Sequence, residues 1–166
     1  MSDPTHQPIS KPIYADRLSG ENFADATGMV NAYLARYAAQ LPQGGSAPGG
    51  AGEPPRLDDS GYAQLHQGSA TIGINVLEDR GVLMIFAPIM PVPMTGLQAF
   101  YRKLLELSFI TTADAAFAID AARDEVVVRC LRRLSALDYE EFEDLVATCS
   151  QVADAWDDVL RAEFGT

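Results

Sequence analysis

Apolar positions along the chain change period several times, and each change marks an element. From Ser19 to Leu41, the residues Phe23, Val30, Leu34, Tyr37 and Leu41 recur at helical spacing, with Ala26 and Ala38 between them. That spacing predicts an amphipathic helix. Ser19 offers a capping oxygen, Glu21 and Asp25 bring negative charge to the helix start, and Pro42 ends the run. Three strand-like runs come next. Tyr62 to Gln67 is short. Ala70 to Glu78 alternates, with Ile72, Ile74 and Val76 on one face and Thr71, Gly73 and Asn75 on the other. Glu78-Asp79-Arg80-Gly81 reads as a tight turn. Gly81 to Pro88 breaks the alternation: Val82, Met84 and Phe86 share one face, Leu83, Ile85 and Ala87 the other, and both are apolar. Such a strand needs cover on both sides. A helix layer can supply one cover, and a second subunit is a good candidate for the rest.

Pro88 to Pro93 predicts an extended, proline-stiffened crossing. Thr95 then offers a cap for a helix to about Ser108, with Leu97, Phe100, Tyr101, Leu104, Leu105 and Phe109 as its apolar stripe. Asp114 to Asp120 and Glu125 to Leu134 read as a hairpin, with Phe117 and Ile119 on one strand and Val126, Val128 and Cys130 on the other. The last helix has Asp138 as N-cap and Glu141 three residues on, as in a capping box. Phe142, Leu145, Val146, Cys149, Val152, Ala153, Trp156, Val159 and Leu160 make its apolar stripe. The fold class is therefore α+β, an antiparallel sheet with helices in the order α-β-β-β-α-β-β-α. Residues 1–18, with Pro4, Pro8 and Pro12, read as a flexible arm ahead of a single domain at 19–166. Within that domain, residues 42–57 are rich in glycine and proline, the composition of a flexible loop.

Charge narrows the partners. The chain of 166 residues carries a formal net charge of -11. A negative field repels phosphate backbones and anionic membranes, which argues against nucleic acid and membrane as partners. The last helix holds much of this charge: from Asp138 to Glu163 there are nine acids against one base, Arg161. That face fits a solvated exterior, or a surface that docks a basic segment. The longest uncharged apolar run, 81–100, is interrupted by Pro88, Pro91 and Pro93 and does not read as a membrane helix. With no secretory signal at the start, the expected location is the cytoplasm. Cys130 and Cys149 read as small buried hydrophobes. Met84, Met90 and Met94 lie close together, and methionine suits either gap-filling or adaptable binding.

Residues able to do chemistry are scattered. His6 and His66 lack metal-ligand spacing with another His or Cys. The glycine-rich stretch lacks the lysine and following Ser or Thr of a phosphate loop. Asp114, Asp120 and Asp138 fit turn and cap roles better than a shared cleft. The chain reads as a non-catalytic binding module, with no cofactor and no metal.

The order of elements, together with several local motifs, resembles the class I type III secretion chaperones of the Tir-chaperone type, and the related YbjN-like proteins. Leu83-Met84-Ile85-Phe86-Ala87-Pro88 is similar to the family's strand and proline turn. Leu104-Leu105-Glu106-Leu107-Ser108-Phe109 resembles its Leu-Leu-Glu-x-Asn helix end. Ala116 to Asp120 and Glu125 to Leu134 resemble its fourth and fifth strands, and Leu137 to Phe142 with Ala153 to Trp156 its last helix. The resemblance implies a homodimeric, ATP-independent chaperone or adaptor that holds a segment of a partner protein, or a YbjN-like regulatory domain without a secretion client. It implies a dimer interface on the central strand and middle helix, here Val82, Leu83, Met84, Ile85, Phe86, Leu97, Phe100, Tyr101 and Leu104. It implies a client held across apolar patches and a sheet edge, for which Ile72, Ile74, Val76, Met90 and Met94 are the candidates.

Overall fold

The computed structural model describes residues 14–41, 54–67, 70–110 and 112–165. The first part of the expected arm and most of the glycine-rich loop lie outside them. Regular structure is present at Tyr14, inside the bounds expected for the arm. Strand β1 (Tyr14–Ala15) pairs antiparallel with β2 (Asn22–Phe23). Between them the Asp16 carboxylate accepts the backbone N–H of Leu18 at 3.0 Å and of Ser19 at 2.7 Å, and Gly20 turns at φ 75°. Ser19 is thus a turn residue rather than a helix cap, and Phe23 lies on a strand. Helix α1 spans Ala26–Gln40, capped by Asp25, which accepts the Gly28 N–H at 2.7 Å. Ser19 and Asp25 are both cap-forming types; the hairpin takes the first and the helix the second.

The main sheet holds β3 (Tyr62–Gln67), β4 (Ala70–Leu77), β5 (Val82–Pro91), β6 (Ala116–Asp120) and β7 (Glu125–Arg133), all antiparallel in the order β3-β4-β5-β7-β6. A turn of 3₁₀ helix, Glu78–Arg80, joins β4 to β5 and closes on Gly81 at φ 62°. Residues 88–91 continue β5 instead of forming a separate crossing: Pro88 stands opposite Val127 and Met90 opposite Val126, with a register shift between Pro88 and Met90. A bulge accommodates prolines, which have no N–H to give to a ladder. Arg161 donates to the Ile89 carbonyl at this bulge, at 2.5 Å.

Helix α2 spans Leu97–Ile110, directly after Gly96 at φ 68°, whose carbonyl accepts the Phe100 N–H. Helix α3 spans Tyr139–Phe164, with the Asp138 carboxylate accepting the Glu141 N–H at 2.9 Å, as the capping pattern predicts. One hydrophobic core joins the helices to one face of the sheet, the face of Ile72, Ile74, Val76, Leu83, Ile85, Val126, Val128 and Cys130. Cys149 of α3 donates to the Val128 carbonyl at 3.5 Å, so this helix lies directly on that face. Tyr33 and Tyr37 of α1 meet Phe142 of α3 in edge and tilted ring contacts, which locks the two helices together.

Asp16 ties the N-terminal hairpin into this layer. It is 2% exposed, and its carboxylate accepts the Tyr33 hydroxyl and the Tyr139 N–H, each at 2.9 Å. Burial alone raises a carboxyl pKa. Here the hydrogen bonds from Ser19, Tyr139 and Tyr33 outweigh burial and hold Asp16 at about 2. The same contact, added to burial, pushes the Tyr33 hydroxyl upward.

Candidate functional site

Helix α2 has more apolar surface than the core uses. Its inward stripe, Phe100, Leu104 and Leu107, is buried. A second stripe, Leu97, Tyr101, Leu105 and Phe109, advances in steps of four along a neighbouring, outward side. Leu105 is 73% exposed and Phe109 87%, and Met94, just ahead of the helix, is 87% exposed. Residues four apart stack one above another, so these side chains form a continuous ridge. Arg102 and Glu106 flank it, ion-paired at 2.7 Å, and with Gln98 they border a shallow groove along Tyr101, Leu105 and Phe109.

The second surface is the sheet face turned away from the helices. Alternation puts Tyr62, Val82, Met84, Phe86 and Leu131 there. Most are half-buried by their neighbours, and Leu131 is 43% exposed. Gly73 makes the packing possible: a Cβ at that position would lie 2.5 Å from the Phe86 ring, which instead crosses over β4 toward Tyr62. Arg129 sits in the same face, between Phe86 of β5 and Ala116 of β6.

These two surfaces redistribute the residues expected from sequence. Of the expected dimer set, Leu97 and Tyr101 lie on the outer ridge of α2, and Val82, Met84 and Phe86 on the open sheet face. Leu83, Ile85, Phe100 and Leu104 do not reach a surface; they pack in the core. Of the expected client set, only Met94 is exposed. Ile72, Ile74, Val76 and Met90 are buried. The physical reason is parity: they share the sheet face that receives the helices. Leu105 and Phe109 belong to the exposed ridge but were absent from the expected site. Their signal was present in the sequence as a repeat of four beyond the stripe needed to face a core.

Other polar groups have local roles. Asp114 pairs with Arg132 at 3.2 Å, and Arg132 also meets Glu141 at 2.7 Å. Asp120 accepts the Ala122 N–H in the β6–β7 turn, and His66 meets the Thr71 hydroxyl at 3.3 Å. A polar cleft of about 680 Å³ runs past Arg56, Asp58, Asp59, Glu78 and Arg80. Its Asp58 carboxylate is held below its ordinary pKa by the Ser60 hydroxyl and the Tyr62 N–H. Among the described residues no group of three or more His, Cys, Asp or Glu is placed to hold a metal, and no helix is long and apolar enough to cross a membrane. Both cysteines are buried and free.

A scan of family models matches residues 51–157 to the Tir chaperone protein (CesT) family. Among solved structures, the ExsC–ExsE complex contains a chain 24% identical, with a TM-score of 0.62, over 82% of this chain and 96% of that one. The HopA1–SchA chaperone–effector complex gives 12% identity and a TM-score of 0.59, over 78% and 94%. The heterodimeric ExoU–SpcU complex from the type III secretion system of Pseudomonas aeruginosa gives 18% and 0.56, over 81% and 99%. At these identities the likeness establishes the fold, an α+β architecture with an antiparallel sheet. None of these findings is to a YbjN-like protein. Among curated proteins, none matches the chain closely.

Proposed function

The chain belongs to the Tir chaperone protein (CesT) family, and we propose from this that it is a non-catalytic chaperone holding an extended segment of a type III secreted protein. The observation that carries the reading is the excess of apolar surface. A chain of this family leaves an α2 ridge and a sheet face without cover among its described residues. Exposed contiguous apolar surface is characteristic of interaction sites. The two surfaces suit different tasks. A straight helical ridge flanked by an Arg102–Glu106 pair is self-complementary under a two-fold axis, so we assign it to a homodimer. The sheet face, broad and half-buried, is assigned to the client. The client stays locally unfolded because its apolar residues are already buried on the chaperone. The chaperone would act in the cytoplasm, before export.

Co-expression with candidate secreted proteins encoded beside this chain tests the reading. The expected result is a stable complex in which one client segment resists a protease that digests it when alone. A chain that purifies free of every candidate, with each candidate equally digested in its presence, would sink it.

A further inference from the structure

The middle of the open sheet face carries a charge of the wrong sign for this chain. The protein as a whole is at -11, and Glu125 with its ladder partner Asp120 closes one end of this face, yet its middle and its other end hold Arg129 and Arg133 on β7. Among the described residues neither has an acidic group within ion-pair distance. Glu125 lies on the same side of β7, four residues from Arg129, which at strand rise is roughly 13 Å. Arg129 is half-buried, with Phe86, Val127 and Leu131 as apolar neighbours on that face. A guanidinium partly desolvated among apolar groups gains from a carboxylate brought to it, because such hydrogen bonds are charge-assisted and two-pronged. The helix layer repeats the argument with the opposite sign. The α3 stripe packs on the core side of the sheet, so exposed Glu140, Asp144 and Asp158 face away from the open side. An acidic segment is repelled by the helix layer and drawn to the sheet.

We propose that the open sheet face recognises an apolar client segment carrying an acidic residue, whose carboxylate is bound by Arg129. This rests on the assignment of that face to the client, and it adds the client's chemistry. Apolar side chains fill the relief between Tyr62, Met84, Phe86 and Leu131, while the Arg129–carboxylate pair fixes register and polarity.

A random dodecapeptide library displayed on phage, panned against the immobilised full chain and against Arg129→Gln, tests it. Wild-type protein should enrich apolar peptides containing Asp or Glu, and the variant should enrich apolar peptides without that bias. In fluorescence anisotropy, replacing the acid of the best peptide by its amide should weaken binding to wild type about tenfold, and binding to Arg129→Gln hardly at all. Apolar peptides without acidic bias on wild type would overturn the carboxylate site and leave segment binding standing. No enrichment on either protein would overturn segment binding as well. If Arg129→Gln, still folded by circular dichroism, shifts the monomer–dimer equilibrium in light scattering, the face belongs to a second copy and the client assignment falls.

Discussion

Helices α2 and α3 are both amphipathic, yet they dispose of their apolar residues differently. Helix α3 buries Phe142, Leu145, Val146, Cys149 and Leu160 in the core and turns its acids outward. Helix α2 buries Phe100, Leu104 and Leu107, then presents Leu97, Tyr101, Leu105 and Phe109 on a neighbouring, outward side. One stripe satisfies a fold; a second stripe on the same helix has no folding role in the monomer. The distinction separates stability from association, residue by residue, although the side chains are of the same kinds.

The widest test compares one residue type in both helices. Phe142 is fully buried against Tyr33, Tyr37 and Tyr139, so Phe142→Ala should cost about 3–5 kcal/mol in urea unfolding. Phe109→Ala, at an exposed position, should stay within about 0.5 kcal/mol when measured on monomer. Equal losses would break the comparison, because Phe109 would then be serving the core.

Association should show the reverse order. Leu105→Glu places a charge in the middle of the outer ridge, and the proposed dimer should weaken by ~100-fold in sedimentation equilibrium with an unchanged far-ultraviolet spectrum. Ile85→Asp, a change on the strand apolar on both faces, should instead unfold the protein, because Ile85 is 1% exposed and faces α3. A Leu105→Glu protein that stays dimeric at low concentration would move the interface elsewhere.

The strand apolar on both faces shows how far sequence reasoning reaches here. Its message was that helices cover only one of its faces, and among the described residues only one face receives the helices. Which face was not readable. A period of two separates Val82, Met84 and Phe86 from Leu83, Ile85 and Ala87, but says nothing of the side on which the helices land. Hence Ile72, Ile74 and Val76, a clean apolar face on β4, looked available and are core. Helix α3 was legible to its first residue because Asp138 caps it and its acids mark the outer side. Asp16 was missed for the opposite reason. Its partners, Tyr33 and Tyr139, lie 17 and 123 residues away, and no local pattern announces them.

Asp16 also distinguishes the two helices at their starts, since it holds the first N–H of α3. Its carboxyl sits at about 2 in the folded chain, below the 3.8 of an unconstrained aspartate. A lowered folded pKa stabilises at pH values above the unfolded one, and that contribution disappears as pH falls from about 4 to about 2. Allowing for solvent screening, the contribution is about 1–2 kcal/mol. Asp16→Asn should therefore be less stable than wild type at pH 7 and converge with it near pH 2. Parallel stability curves across that range would remove Asp16 as the tie between hairpin and helix.

The smallest effect probes the edge of the α2 ridge. Arg102 and Glu106 form an exposed pair four residues apart, worth ~0.3–0.5 kcal/mol to an isolated helix. Arg102→Ala should thus shift monomer unfolding by a few tenths of a kcal/mol. If the ridge meets a second copy, the same side chain borders that contact, and its loss should weaken the dimer by less than ~10-fold, with a gap that closes as salt rises. Reversing both charges, Arg102→Glu with Glu106→Arg, keeps an opposite-charge pair within the helix and, across a two-fold axis, between copies as well. Association should then return toward wild type, because an isologous contact applies one substitution to both sides at once. A double reversal that dimerises no better than Arg102→Glu alone would mean that these charges face only water, leaving Leu97, Tyr101, Leu105 and Phe109 to define the contact by themselves.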